Sequence, residues 1–142
     1  DRLECAIDTI EKLCTYANSL GIELALENLP RTCLCRDKEE MLYFLERVPA
    51  LKVCYDMNHC LRGDNVEFLR AVTDKLITIH VSDYDGIDER HWLPGKGINN
   101  WKEIASVLEE GNYAGRFLIE LGGDNSTYED IRACYDRLTN QK

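Results

Sequence analysis

Glu27, Asp56, His80 and Glu120 are side chains able to hold a divalent cation, and each lies at or next to the end of a short segment of alternating polarity. In IELALE (22–27), Ile22, Leu24 and Leu26 form an apolar face and Glu23, Ala25 and Glu27 the opposite one. In LKVCYDM (51–57), Val53 and Tyr55 oppose Lys52, Cys54 and Asp56; in LITIHV (76–81), Ile77, Ile79 and Val81 oppose Thr78 and His80. RFLIEL (116–121) sets Phe117, Ile119 and Leu121 against Arg116, Leu118 and Glu120. Because side chains alternate across a strand, the four candidates share one place, the C-terminal end on the face away from the bulky aliphatics. In a parallel sheet those strand ends form the ligand-binding edge. Three carboxylates and an imidazole gathered there would repel and resist burial without a cation among them.

The elements that must position them follow from helical spacing and caps. Leu3, Ile7, Ile10, Leu13, Ala17 and Leu20 predict a helix over 2–20, stopped by Gly21. After a loop at 28–36 containing Pro30, Cys33 and Cys35, Asp37 caps a helix carrying Met41, Leu42, Leu45 and Val48, which Pro49 closes. Asp64 and Glu67 form a capping box for Val66, Leu69 and Val72; a helix from about Asn100 carries Trp101, Ile104, Val107 and Leu108 and stops at Gly111. Ser126 and Glu129 form another box, ahead of Ile131, Cys134, Tyr135 and Leu138. Strands alternating with helices imply an α/β fold with a parallel sheet and right-handed crossovers.

The long segment after His80, up to Gly97, contains Asp83, Asp85, Asp88, Glu89, Arg90, His91, Trp92 and a Leu93-Pro94-Gly95 turn, and loops of this length are usually functional. Its acids read as a solvated run rather than a calcium site, and Tyr84 and Trp92 as packing the loop onto its scaffold, with a sugar-stacking role as the alternative. Lys96 lies outside any GxxxxGK[ST] frame. Gly122 and Gly123 read as a turn, since Asp124 would repel a phosphate there.

A hydrophobic content of 44% with 30% charge fits one soluble domain over 1–142, and no apolar run approaches the roughly 18 residues of a membrane span. The net charge of −9 argues against a nucleic-acid partner and is compatible with a cation. Seven cysteines without repeated CxxC spacing write neither a disulfide framework nor a zinc ribbon, so a cytoplasmic protein with reduced thiols is expected. A zinc site from Cys33, Cys35 and Cys60 with His59 is the weaker reading. The start at Asp1, inside a helical pattern, suggests a piece of a longer polypeptide.

At LALENLP (24–30), YDMNH (55–59), ITIHVSD (77–83), ERHWLPGKG (89–97) with Trp101, and FLIEL (117–121), the chain resembles the xylose isomerase-like barrel superfamily of sugar isomerases, epimerases and apurinic-site endonucleases. The resemblance implies a parallel (β/α) half-barrel, a helix followed by four strands corresponding to strands five to eight of a TIM barrel. It implies that Glu27, Asp56, His80 and Glu120 hold one metal, with Glu27 and Glu120 also catalytic as base and acid. Carboxylates with one imidazole suit Mn²⁺, Mg²⁺ or Co²⁺, with Zn²⁺ possible. His59 resembles a contact to substrate oxygens, or a metal ligand in multi-metal members; Arg90 resembles a sugar-oxygen contact. His91 is expected with His59 and Arg90 among the substrate-binding residues; it also resembles a metal ligand of the endonuclease branch, where an aspartate stands two residues earlier and this sequence has Glu89.

The expected activity is thus a metal-dependent sugar or polyol isomerase or epimerase acting by carboxylate-mediated proton transfer. The rivals are an apurinic-site phosphodiesterase using zinc, and a non-catalytic half-barrel. In either half-barrel case the exposed sheet edges lead us to expect a homo-oligomer.

Overall fold

In a computed structural model of the protein, residues 2–122 and 126–139 are described, the side chains of 137–139 excepted. Helix α1 (Arg2–Ser19) leads into β1 (Ala25–Glu27), α2 (Lys38–Arg47), β2 (Lys52–Asp56), α3 (Asn65–Val72), a 3₁₀ turn at Thr73–Lys75, β3 (Leu76–Val81), α4 (Trp101–Glu110), β4 (Arg116–Ile119) and α5 (Tyr128–Thr139). The strands form one parallel sheet in the order β1-β2-β3-β4. This is the α/β alternation expected, with four parallel strands after a helix. Among the described residues no helix is long and apolar enough to cross a membrane.

The register carries the alternation across the sheet. Glu27 pairs with Cys54, Asp56 with His80, and His80 with Leu118, so the ligand-type residues share one face and one level. Glu120 lies just past β4, but its amide still donates to Val81 O at 3.1 Å and keeps the phase. On the other face Val53, Tyr55, Ile79 and Val81 are fully buried with Met41, Phe44, Phe68, Leu69 and Val107 of the covering helices. Each aliphatic of this size contributes about 1.5–3 kcal/mol when withdrawn from water.

The caps at Asp37 and Asp64 form as expected, each side chain accepting from the amide three residues on, Glu40 and Glu67 respectively. Glu67 does not close a reciprocal box; its carboxylate pairs with Lys38. Asn100 caps α4, accepting from Glu103 N at 3.3 Å.

Several apolar assignments differ. Leu42 is 39% exposed and Phe44 takes the core position, because α2 presents Met41 and Phe44 rather than Leu42 to the sheet. Leu13, Leu20 and Ile22 are exposed, and β1 is only three residues long, so the alternation at 22–24 runs ahead of the paired strand. β4 pairs on one side only, leaving Phe117 and Leu118 more than half exposed. On α5, Cys134 is buried while Ile131 and Tyr135 are exposed. Its cap is Thr127, whose hydroxyl accepts from Asp130 N while Asp130 accepts from Thr127 N, one residue beyond the expected Ser126–Glu129 box. The side chain of Leu138 and the residues Gly123 and Asp124 lie outside the described set.

Candidate metal centre

Strand register brings all four strand-end candidates to one point, centred on His80. Its Nδ1 lies 2.9 Å from Glu120 Oε2, 3.3 Å from Glu27 Oε1 and 3.5 Å from Asp56 Oδ2. Asp56 is wholly buried, and its Oδ2, like His80 Nδ1, has no hydrogen-bond partner. Buried polar atoms left without a hydrogen bond, beside further carboxylates, are costly. A divalent cation would satisfy both, so the residues present fit a metal.

The ligand atoms group in three overlapping ways within 4.8 Å of one another: Asp56, His80 and Glu120; Glu27, Asp56 and His59; and Glu27, Cys54 and His80. His59, expected as a substrate contact or as a metal ligand of multi-metal members, is within reach of the centre itself: its Nδ1 is 3.5 Å from Glu27 Oε1, 3.6 Å from Asp56 Oδ2 and 3.0 Å from Asn28 O. Cys54 enters from β2, with Sγ 3.4 Å from His80 Nε2. Among the described residues, His91, Cys33, Cys35 and Cys60 belong to none of these groups.

Burial raises the carboxyl groups of Glu27 and Asp56 above their ordinary values, opposed in part by the neighbouring histidines. Burial also pushes the Cys54 thiol up to about 12, which keeps it protonated at neutral pH.

Two buried asparagines, not singled out from the sequence, align the centre. Asn28 Nδ2 donates to Asp56 O at 2.9 Å and its Oδ1 accepts from Asp56 N at 2.7 Å, clamping the end of β1 to the end of β2. Asn58 N donates to Asp56 Oδ1 at 2.6 Å, which leaves Oδ2 for the centre, and Asn58 Oδ1 accepts from the amides of Arg90 and His91. Their signal was present only as polar residues directly after two strand ends, inside ENLP and DMNH.

The loop after β3 departs from the expected solvated run. Asp83 is fully buried and accepts from Tyr84 N, Gly95 N, Asn99 N and Trp101 Nε1 at 2.8–3.1 Å. Its backbone pairs with Trp92, and a Cβ at Gly97 would overlap Asp83 Oδ1 and Tyr84 O, so only glycine lets the loop close here. Tyr84 is 3% exposed and donates to Cys60 O, which bears out its packing role.

Arg90 donates from Nε to Asp85 Oδ2 at 2.7 Å and remains exposed. His91 adopts a left-handed φ of 47°, has a buried Nδ1 without a partner, and meets the His59 ring edge-on at 5.9 Å between centroids. Both line a cavity of about 370 Å³.

The chain matches the family described as xylose isomerase-like TIM barrel over residues 1–138. It is 26% identical over 121 residues to the fructoselysine 3-epimerase of Escherichia coli O157:H7, covering 80% of this chain and 44% of that protein. The crystal structure of a D-tagatose 3-epimerase-like protein superposes with a TM-score of 0.85 at 25% identity, covering 96% of this chain and 53% of the other. That of the IOLI protein, which binds a zinc atom, superposes at 0.80 and 19% identity over 96% of this chain and 55% of its own, a likeness of fold. The chain spans about half the length of the curated relatives it matches. With a match that runs through all four strands and the strand-end residues described above, this chain belongs to the xylose isomerase-like TIM barrel family.

Proposed function

We propose that the chain carries the metal-binding and proton-transfer half of a sugar or polyol isomerase or epimerase. The observation that carries this reading is the facing pair of unsatisfied buried atoms, Asp56 Oδ2 and His80 Nδ1, flanked by Glu27 and Glu120 from the two outermost strands. Glu27, Asp56, His80 and Glu120 would hold the ion; three carboxylates with one imidazole favour Mn²⁺, Mg²⁺ or Co²⁺, and Zn²⁺ is compatible. A bound divalent cation supplies Lewis-acid polarisation of adjacent carbonyl and hydroxyl oxygens.

The chain's own residues do the rest. Glu27 and Glu120 reach the centre from opposite edges of the sheet, so a sugar carbon between them has a carboxylate on either side, one to take a proton and one to return it. His59 and Arg90 present donors to the sugar oxygens, and Asn28 and Asn58 keep Asp56 turned inward. The relatives that act on fructoselysine or are tagatose epimerase-like support the sugar class.

The test is a calorimetric titration of Mn²⁺ into the chain and into its His80→Ala variant. Saturable binding by the first and none by the second is expected; equal binding by both would place the metal elsewhere and sink the reading.

A second reading concerns assembly. β1 and β4 each pair on one side, and β4 exposes Phe117 and Leu118. Edges of this kind recruit another strand, so as residues 1–142 stand they form the second half of a barrel that associates through those edges.

A further inference from the structure

We propose that Glu89 is a positioning residue for His59, and that Arg31, reaching over from the loop after β1, clasps Glu89 in the place where it can do so. What His59 does once placed rests on the isomerase or epimerase reading. How it is placed rests on contacts among three loops.

His59 stands in the loop after β2, so strand register does not fix it as it fixes Asp56 and His80. Its side chain is nonetheless only 11% exposed. Nδ1 lies 3.0 Å from the carbonyl oxygen of Asn28, in the loop after β1. On the other side of the ring Glu89 Oε1, from the loop after β3, stands 3.8 Å from Nε2, and the His91 ring meets that of His59 edge-on. At 3.8 Å the carboxylate acts through its charge rather than as a hydrogen-bond acceptor. An oxygen facing each nitrogen sets the plane of an imidazole, as the carboxylate or carbonyl behind a ligating histidine does.

Glu89 is itself held. Its Oε2 accepts from Arg31 Nη1 at 3.0 Å, while Arg31 Nη2 donates to Asp88 Oδ1, so one guanidinium grips two neighbouring carboxylates. The grip is prepared on both sides. Asp85 Oδ1 accepts from Ile87 N and Asp88 N, Asp88 Oδ1 accepts from Glu89 N, and Asn58 Oδ1 takes the next two amides, those of Arg90 and His91. Across from them Arg31 has a left-handed φ of 57°, in a turn where Cys33 N donates to Pro30 O at 3.1 Å. A side chain that bears a Cβ adopts this conformation at a cost, and such residues gather at clamps and functional sites.

Arg31 and Asp88 are about half exposed, at 53% and 43%, and exposed ion pairs add little to stability. The clasp is therefore placed to set geometry rather than to hold the fold. Arg31 and Asn28 lie in one loop, so the contacts close a ring from Asn28 through His59 and Glu89 to Arg31. That ring keeps His59 Nδ1 turned toward Glu27 and Asp56.

The test records the ring-proton signals of His59, and their nuclear Overhauser contact with the His91 ring, in the metal-free chain at one fixed pH. Glu89→Gln and Arg31→Gln are each expected to displace the His59 signals and to lose the contact, with the melting temperature unchanged. Arg31→Lys, which keeps the charge without the fork, restores part of the contact. Arg70→Gln, which breaks a comparably exposed pair with Glu110, leaves the His59 signals in place. Wild-type His59 signals in Glu89→Gln overturn the proposal. So does an Arg70→Gln displacement as large as that in Arg31→Gln, and wild-type signals in Arg31→Gln remove the clasp. Because no metal is present, failure of the chain to bind Mn²⁺ with these displacements observed would sink the isomerase or epimerase reading alone.

Discussion

Cys54 Sγ lies 3.4 Å from His80 Nε2, at the nitrogen of the ring that does not face the carboxylates. For Nδ1 to offer its lone pair to a cation the ring proton must sit on Nε2, and the sulfur is placed to accept it. Partners of this kind fix the tautomer and orientation of a ligating histidine. We expect Cys54→Ala to lower divalent-ion affinity by about tenfold or more and Cys54→Ser to retain most of it, both read by calorimetry. Wild-type affinity in the alanine variant would show that the thiol does not position His80. An intense thiolate band on Co²⁺ loading would instead make Cys54 a ligand.

Asp56 should weaken the metal-free protein at neutral pH. Its folded-state carboxyl is raised by burial, so the charged form is penalised above that value, and stability rises as pH falls through it toward the ordinary carboxylate range. Asp56→Asn is expected to raise the melting temperature of the metal-free chain at pH 7, to lose that advantage at acid pH, and to abolish Mn²⁺ binding. Thermal melts across pH decide it; an asparagine variant less stable than wild type at pH 7 would contradict the direction.

Asp83→Ala strands four donors at once, from Tyr84, Gly95, Asn99 and Trp101. Unsatisfied buried donors cost about 1–3 kcal/mol each, and partial access of water reduces the sum, so a loss of about 3–5 kcal/mol is expected by urea unfolding. The Trp101 indole N–H resonance should shift with it. A variant of unchanged stability would mean that the loop is held by something else.

Leu118, 52% exposed on the edge strand β4, is the position chosen to break association. Light scattering should find the wild-type chain as a dimer or larger, and Leu118→Arg shifted toward monomer. A strictly monomeric wild type would remove the assembly reading.

The strand-end centre could be read from the sequence because its placement depends on two local rules. Alternation fixes which face a strand residue occupies, and the regular succession of strands and helices makes the sheet parallel, so Glu27, Asp56, His80 and Glu120 had to share a face and an edge. The caps at Asp37 and Asp64 are as local, each closing within three residues. Short-range rules gave less at the margins, where Leu42 and Phe44 compete for one helix face and Ser126 and Thr127 for one cap.

What only the tertiary structure decided is what lies beside what across long separations. Asn28 meets Asp56 over 28 residues, Asn58 meets His91 over 33, and Cys54 meets His80 over 26. Asp83 lies in an acidic run whose composition points to solvent, yet the fold surrounds it with four donors, the adjacent Tyr84 N and, 12 to 18 residues on, Gly95 N, Asn99 N and Trp101 Nε1. Side-chain alternation sets direction over a few residues, whereas these partners are brought together only when the sheet and its loops close; local rules placed the four strand-end side chains on one face, and the closed fold decided what surrounds them.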